Sequence, residues 1–598
     1  MTSDLYEDEP KTESQSKISL KDAFGTIVPL LKEHKRRLGF SLVLLTATTG
    51  LALAWPMILK EGIDGPLKTG NITLLVLLAL AILVIQAAAF LIQYLQRLSL
   101  EQVGQDVMLS LKRRLFDHIL SLDFSYFDSN PVGRIMARVE SDCEALRMLF
   151  TNTVVLLVGD MLLILGIYSI MVYQQWQVGV ILFLSVPLLC VLIYFFHRLT
   201  THRFFAIRRK MAEVTAVLSE FLQGMSIVQL FHRGEYARKR VYETNEIKFA
   251  DDQFVQISVC VFFNLILFIE YVKIGLLLML GPRFDLSAGQ IVLFLVLIMR
   301  SFEPIFRTSE QLSSFQKGIA GARRIYELLA TKPVVLDPVR PELWNRFDDA
   351  IRFEDVSFSY TGDSNYALKN ATFDIPKGKR VALVGVTGGG KSTVISLLLR
   401  FYDPQMGRIT VDGIDIRDVS RADLRRKFAL VLQDIILFPG DVKNNIGLGA
   451  EEIPQERIAA AAQVVDAALF IDRLPKRYET EISEKGSNFS RGERQLLSFA
   501  RALAFDPEIL ILDEATSSVD PETERVMAAS LKILMHGRTS LIIAHRLSTI
   551  LDVDKILVIK QGEIIESGTH TELLLQNGYY TKLFHLQFKS KIGELTNA

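Results

Sequence analysis

Cysteine is scarce: three in 598 residues, Cys143, Cys190 and Cys260, with neither CxxC nor metal-ligand spacing. Two of them sit in apolar runs, where a free cysteine behaves as a small buried hydrophobe rather than a redox or zinc ligand. Net charge is missing too, since 67 Lys and Arg balance 67 Asp and Glu, so bulk charge speaks neither for nor against nucleic acid. Met1 to Ser16 is polar and acidic and lacks the apolar core of a cleavable leader. Charge is also sparse overall, at 22% of residues with a mean hydropathy of +0.27, unusual for a soluble protein. Apolar residues gather in the first half and charges in the second. That division reads as a membrane part followed by a soluble part, in a chain too long for one core.

What is abundant is long hydrophobic runs. A bilayer needs about 20 apolar residues per helix. Six segments are expected to cross: Leu38–Leu59, Asn71–Gln96, Met148–Gln174, Val178–Phe196, Phe254–Leu280 and Ile291–Phe306. The third contains Asp160, the fifth Glu270 and Lys273, and the sixth Arg300 and Glu303. Buried core helices are the alternative, which uncharged runs of this length disfavour. Arg97, Lys112, Arg113, Arg114, Arg134, Arg138 and Arg147 follow the second run, and Arg198, Arg203, Arg208, Arg209 and Lys210 follow the fourth. The other loops carry only Lys60, Lys68 and Arg283, so the positive-inside rule puts the N-terminus, both long loops and the C-terminal half in the cytosol. Leu20 to Lys35 reads as an amphipathic helix along the membrane surface. The long loops keep helical periodicity, as in Val107, Met108, Leu111, Leu115, Ile119 and Leu122, so the spans are expected to continue as helices into the cytosol.

The sharpest motif is Gly385-Val386-Thr387-Gly388-Gly389-Gly390-Lys391-Ser392-Thr393. It follows the apolar run Val381–Val384 and precedes Val394–Leu399, the strand, loop and helix that a phosphate-binding loop requires. Its glycines let backbone N–H groups turn toward one anion, and the helix N-terminus adds partial positive charge. Lys391 is placed to reach the β- and γ-phosphates and the Ser392 hydroxyl to ligate Mg²⁺. Downstream, Ile509–Leu512 delivers Asp513 and Glu514 at a strand tip. Asp513 is expected to hold Mg²⁺ through water and Glu514 to orient or deprotonate the attacking water.

Further runs stand in a fixed order: Gln433 after Phe428–Leu432, Asn488-Phe489-Ser490-Arg491-Gly492-Glu493-Arg494-Gln495, Ser518-Val519-Asp520, and Ala544-His545-Arg546. Leu115 through Arg134 and Glu220 through Gln229 lie in the two long loops. Together these resemble the ATP-binding cassette exporters from about Ser19 to Phe588, with no single motif carrying the likeness. The resemblance implies an all-α six-helix transmembrane domain with long intracellular helices, then an α/β P-loop cassette. The expected boundaries are a tail at 1–18, the transmembrane domain at 19–325, a linker at 326–350, the nucleotide-binding domain at 351–584 and a tail at 585–598.

The resemblance also implies roles. Tyr360 matches the aromatic that stacks on adenine, with an ordinary strand-end tyrosine as the bland alternative. Gln433 matches the glutamine that senses Mg²⁺ and the γ-phosphate, His545 the histidine that contacts the γ-phosphate, and Asp520 the aspartate at the interface of two cassettes. Thr480–Gly486 resembles the exporter segment that meets the coupling helices, expected near Ser121–Asp128 and Gln223–Gln229. The nucleotide set is then Tyr360, Gly385, Thr387, Gly388, Gly389, Gly390, Lys391, Ser392 and Thr393. Catalytic roles fall to Glu514, His545 and Gln433, and Mg²⁺ falls to Ser392, Gln433 and Asp513. The cofactors implied are ATP and Mg²⁺.

One motif departs from the family pattern. Where Leu-Ser-Gly-Gly-Gln is usual, this chain has Phe489-Ser490-Arg491-Gly492-Glu493. Arg491 replaces a glycine that allows close backbone approach, and Glu493 adds negative charge near a triphosphate. This segment acts in trans, so one cassette is incomplete alone and a dimer is required. Either the variation is tolerated in a homodimer, or the chain pairs with a second half-transporter into unequal sites; the heterodimer is favoured. The expected activity is ATP-driven export of a hydrophobic or amphiphilic drug-like compound or lipid by alternating access. A lipid flippase and an ATP-gated or regulatory membrane ATPase are the rivals. Asp160, Glu270 and Arg300 are the candidate pathway residues, Asp160 as a lone carboxylate for a cationic substrate, while Glu270 and Lys273 are spaced to pair with each other. No N-terminal protease domain is present, which argues against a peptide-processing exporter. The membrane half excludes a nucleic-acid ATPase. With no organelle-targeting segment evident, a bacterial plasma (inner) membrane is expected.

Overall fold

The computed structural model describes residues 25, 29, 32–363, 365–483, 486–513, 521–543 and 550–586. The chain divides into two compact units, one of residues 1–120 and 131–331 and the other of 121–130 and 332–598.

The first unit is helical. Lys35–Leu67, Ile72–Ser121, Val132–Gln174, Trp176–Gln223 and Gly234–Leu280 are each long and apolar enough to cross a membrane. They hold the first five expected spans, except that Asn71 precedes the second helix. The sixth, Ile291–Phe306, lies inside the helix Ala288–Ala330, which carries Arg300, Glu303 and Arg307. The amphipathic helix expected at 20–35 falls largely outside the described residues. At about 1.5 Å per residue a 50-residue helix such as Ile72–Ser121 is roughly 75 Å long, far more than the ~30 Å hydrocarbon core. The long loops are therefore helical extensions, as their periodicity implies.

Packing within this unit centres on Ile167, Tyr168 and Met171, which meet Val178, Leu182, Leu277 and Leu293. The turn between Gln174 and Trp176 is tight because Gly179 lies against its neighbour, where a Cβ would sit 2.6 Å from the Val172 nitrogen. By contrast Leu74, Leu77, Leu80 and Leu83 of the helix Ile72–Ser121 are exposed. A helix this apolar with so little of it covered suits a lipid solvent. Elsewhere in this unit Ser287 and Gln290 close a capping box on Ala288–Ala330, and Asp64 accepts from Gly289 N at 3.0 Å.

The second unit is α/β. Its strands are β1 (Ala350–Phe358), β2 (Leu368–Pro376), β3 (Arg380–Val384), β4 (Met406–Val411), β5 (Ile414–Asp415), β6 (Phe428–Val431), β7 (Gly440–Asp441), β8 (Glu481–Ile482), β9 (Ile509–Asp513), β10 (Thr539–Ile543), β11 (Lys555–Lys560) and β12 (Glu563–Gly568). The main sheet runs β12-β11-β3-β10-β9-β6, parallel except for β12. A second, antiparallel sheet runs β2-β1-β4-β5. Alternate residues of the main strands enter two cores. Ala382, Val384, Leu510, Leu512 and Ile542 face one; Val381, Leu383, Ile509, Ile511, Leu541 and Ile543 face the other. Burial on both faces explains why these strands read as unbroken apolar runs. The helix Ala288–Ala330 runs on into the stretch read as linker.

Candidate functional site

The parallel register fixes where the motifs leave the sheet. Leu383 of β3 is level with Ile543 of β10, Ile543 with Asp513 of β9, and Leu512 with Val431 of β6. Gly385 follows Leu383 by two residues, and Gln433 follows Val431 by two. The glycine loop, Asp513 and Gln433 therefore share one edge, the carboxyl ends of parallel strands, where α/β sheets bind ligands. Glu514, Asp520 and His545 lie outside the described residues, as do Glu484 and Lys485 of the Thr480–Gly486 segment. In sequence Glu514 directly follows Asp513, and His545 stands two beyond Ile543.

Between β3 and the helix Lys391–Leu398 the loop bends at Gly388 (φ +77°) and Gly390 (φ +106°), backbone conformations that side chains disfavour. A Cβ on Gly390 would also strike the Ala367 carbonyl at 2.6 Å, so this glycine is required twice over. Lys391 is buried, its Nζ donating to the carbonyls of Gly385 at 2.8 Å and Val386 at 2.9 Å. Burial holds its ammonium below the ordinary lysine range, against the opposing pull of the Asp513 carboxylate. Ser392 is exposed at the helix start and Gln433 is exposed beyond β6. Hydroxyl, carboxylate and amide oxygens are hard donors that fit Mg²⁺, a cation that keeps waters and phosphate oxygens as its other ligands.

Tyr360 is half exposed, with its hydroxyl donating to Thr393 Oγ1 at 3.2 Å. Its ring stands edge-on to Phe358 at 4.9 Å and to Tyr402 at 5.2 Å. Sequence reasoning missed Tyr402, which carries no motif signal and is found only by its neighbours in space.

Ser490 caps the helix Arg491–Ala504. Its hydroxyl accepts from Glu493 N at 3.2 Å, and the Glu493 carboxylate accepts from Ser490 N at 2.8 Å. Glu493, expected to bring adverse charge, is thus the third-position partner of a capping box, a place for either Glu or Gln. Gly492 is buried at this helix start.

In the helical unit the candidate pathway residues are engaged. Asp160 is not the lone carboxylate expected, because Arg307 pairs with it at 2.5 Å while also bonding Glu303 at 3.0 Å. Glu270 and Lys273 form the expected i,i+3 pair at 2.7 Å, both buried, with Lys273 also reaching Ser301 at 3.3 Å. Arg300 donates to the Ala52 carbonyl and lies 5.7 Å from the Trp55 ring.

Residues 38–305 match the ABC transporter transmembrane region, and residues 368–517 match the ABC transporter domain. The ATP-dependent lipid A-core flippase of Syntrophus aciditrophicus (strain SB) is 33% identical over 579 residues, covering 96% of each chain. The probable multidrug resistance ABC transporter ATP-binding/permease protein YheH of Bacillus subtilis (strain 168) is 35% identical over 504 residues, 83% of this chain and 74% of that one. Among solved structures, a bacterial Atm1-family ABC exporter with ATP bound superposes with a TM-score of 0.75 at 26% identity, over 92% of this chain and 98% of the other.

Proposed function

Because the chain belongs to the ABC transporter family, as an exporter that couples ATP hydrolysis to transport, we propose that it is one half of a dimer carrying a hydrophobic or amphiphilic molecule out across a plasma membrane by alternating access. The observation that supports this best is the fusion itself. One chain joins five long apolar helices to a sheet whose edge gathers the glycine loop, Asp513 and Gln433.

In this reading Tyr360 stacks on the adenine, and the amides around Gly388, Gly389 and Gly390 receive the phosphates. Lys391 exchanges its two loop carbonyls for phosphate oxygens. Bound Mg²⁺, held by Ser392, Gln433 and Asp513, supplies charge neutralisation at the β- and γ-phosphates. Glu514 orients and deprotonates the attacking water, and His545 contacts the γ-phosphate. Closure of two cassettes favours one arrangement of the helices only because ATP binds the closed state more tightly. Hydrolysis removes that preference and resets the cycle.

The partner cassette receives Ser490 and its helix in trans, with Asp520 assigned the role of the interface aspartate. Arg491 in a position usually held by glycine favours a second, different half-transporter as that partner. A lipid is the second reading for the cargo, favoured by the flippase relatives.

Uptake into inside-out vesicles tests both cargoes, using the cationic dye Hoechst 33342 and a short-chain fluorescent phosphatidylethanolamine. ATP-dependent accumulation of either against its gradient, lost in Glu514→Gln, is the expected result and identifies the cargo class. ATP turnover with no movement of either probe or of native lipid would support a regulatory ATPase instead.

A further inference from the structure

The structural unit that contains the cassette also contains residues 121–130, the tip of the first long hairpin. Three of its contacts bear on the cassette's interior. Asp123 accepts from the amides of Val334 at 2.6 Å and Val335 at 2.9 Å. Phe124 stacks on Phe401 with centroids 4.8 Å apart. Asp128 accepts a hydrogen bond from the Tyr402 hydroxyl.

The third contact differs from the other two because of what lies behind it. The Tyr402 ring stands at 88° to the Tyr360 ring, 5.2 Å away, and 5.3 Å from Phe358. Tyr360 in turn bonds Thr393, a buried residue in the first turn after the glycine loop. Asp128, Tyr402, Tyr360 and Thr393 thus form an unbroken set of contacts from the hairpin tip to the phosphate loop.

We propose that Tyr402 is a positioning residue that holds the Tyr360 ring ready for the nucleotide base and ties that position to Asp128. The proposal rests on the reading of Tyr360 as the base-stacking residue. An edge-to-face aromatic contact restricts the orientation of both rings. A phenol anchored by a carboxylate cannot pivot without losing a charge-assisted hydrogen bond. Burial, and next the Asp128 carboxylate, push the Tyr402 phenol well above its ordinary range, so it stays a donor throughout physiological pH. The base and the hairpin tip therefore act on one pair of rings from opposite ends. Any displacement of the tip is felt at Tyr360, and base stacking is felt at the tip.

Contact alone does not establish coupling; a double-mutant cycle does. KM and kcat for ATP are measured on the assembled dimer in lipid vesicles for Tyr402→Phe, Asp128→Asn and the double variant, with Tyr360→Ala beside them. Expected is a rise in KM of about three- to tenfold in each single variant, kcat little changed, and no further rise in the double variant. Unaltered KM in both singles, or a double variant that multiplies the two effects, overturns the proposal. Should Asp128→Asn impair assembly, Tyr402→Phe, which keeps the ring, decides by the same KM. Tyr360→Ala separates the two assignments. If it leaves KM unaltered, the base-stacking reading fails; if it raises KM while Asp128→Asn and Tyr402→Phe do not, only the link fails.

Discussion

Glu493 illustrates how a residue can be misjudged when only its place in a motif is visible. Read against Phe489–Glu493 alone, it is a misplaced negative charge; in space it receives the Ser490 amide while Ser490 receives its own. Gln at that position makes the same bond, so Glu493→Gln should leave stability and ATP turnover close to those of the parent. Glu493→Ala opens the cap and should cost about 1 kcal/mol in unfolding experiments, with reduced turnover because the helix start frays. Equal losses in both variants would contradict the capping assignment. Residues legible in the sequence were those whose partners lie nearby in the chain. Lys391, Ser392 and Asp513 are announced by contiguous motifs, and Glu270 with Lys273 by helical spacing. Arg307 as partner of Asp160 was not legible, because 147 residues separate them and no local pattern joins the two helices.

At the scale of elements, the carboxyl edge of the main sheet was foreshadowed by apolar runs ending in glycine, Gln433 and Asp513. Their register was not, since β3, β10, β9 and β6 are neighbours in space but scattered in sequence. Hydropathy located the long helices, the one holding Ile291–Phe306 among them, but not the partners of the charges they carry. Arg300 donates to the Ala52 carbonyl, and Glu303 pairs with Arg307, which also reaches Asp160; composition alone cannot reveal the partners on other helices. The hairpin tip is an element in which one buried side chain serves two anchoring bonds. Asp123 is buried and serves two backbone amides, so Asp123→Ala leaves both amides without this acceptor and should cost about 1–3 kcal/mol. Limited proteolysis should then cut near residues 121–130 sooner than in the parent, while ATP binding by the cassette persists. Cleavage at the parental rate would show that the tip is secured without Asp123.

For the molecule as a whole, the sequence revealed the class before any coordinates, because an apolar first half joined to a phosphate loop has few physical uses. It did not reveal the partner. In the proposed reading Ser490 and its capped helix act on another cassette, which would make the chain one half of a dimer. The central claim is that this chain's own cassette turns over ATP through Glu514 to drive the cycle. The most direct test is ATP turnover in lipid vesicles by the dimer isolated through a tag on this chain, parent beside Glu514→Gln. The account predicts turnover that falls by about 10²-fold or more in the variant, the range for losing a general base. Turnover undiminished by Glu514→Gln would contradict it.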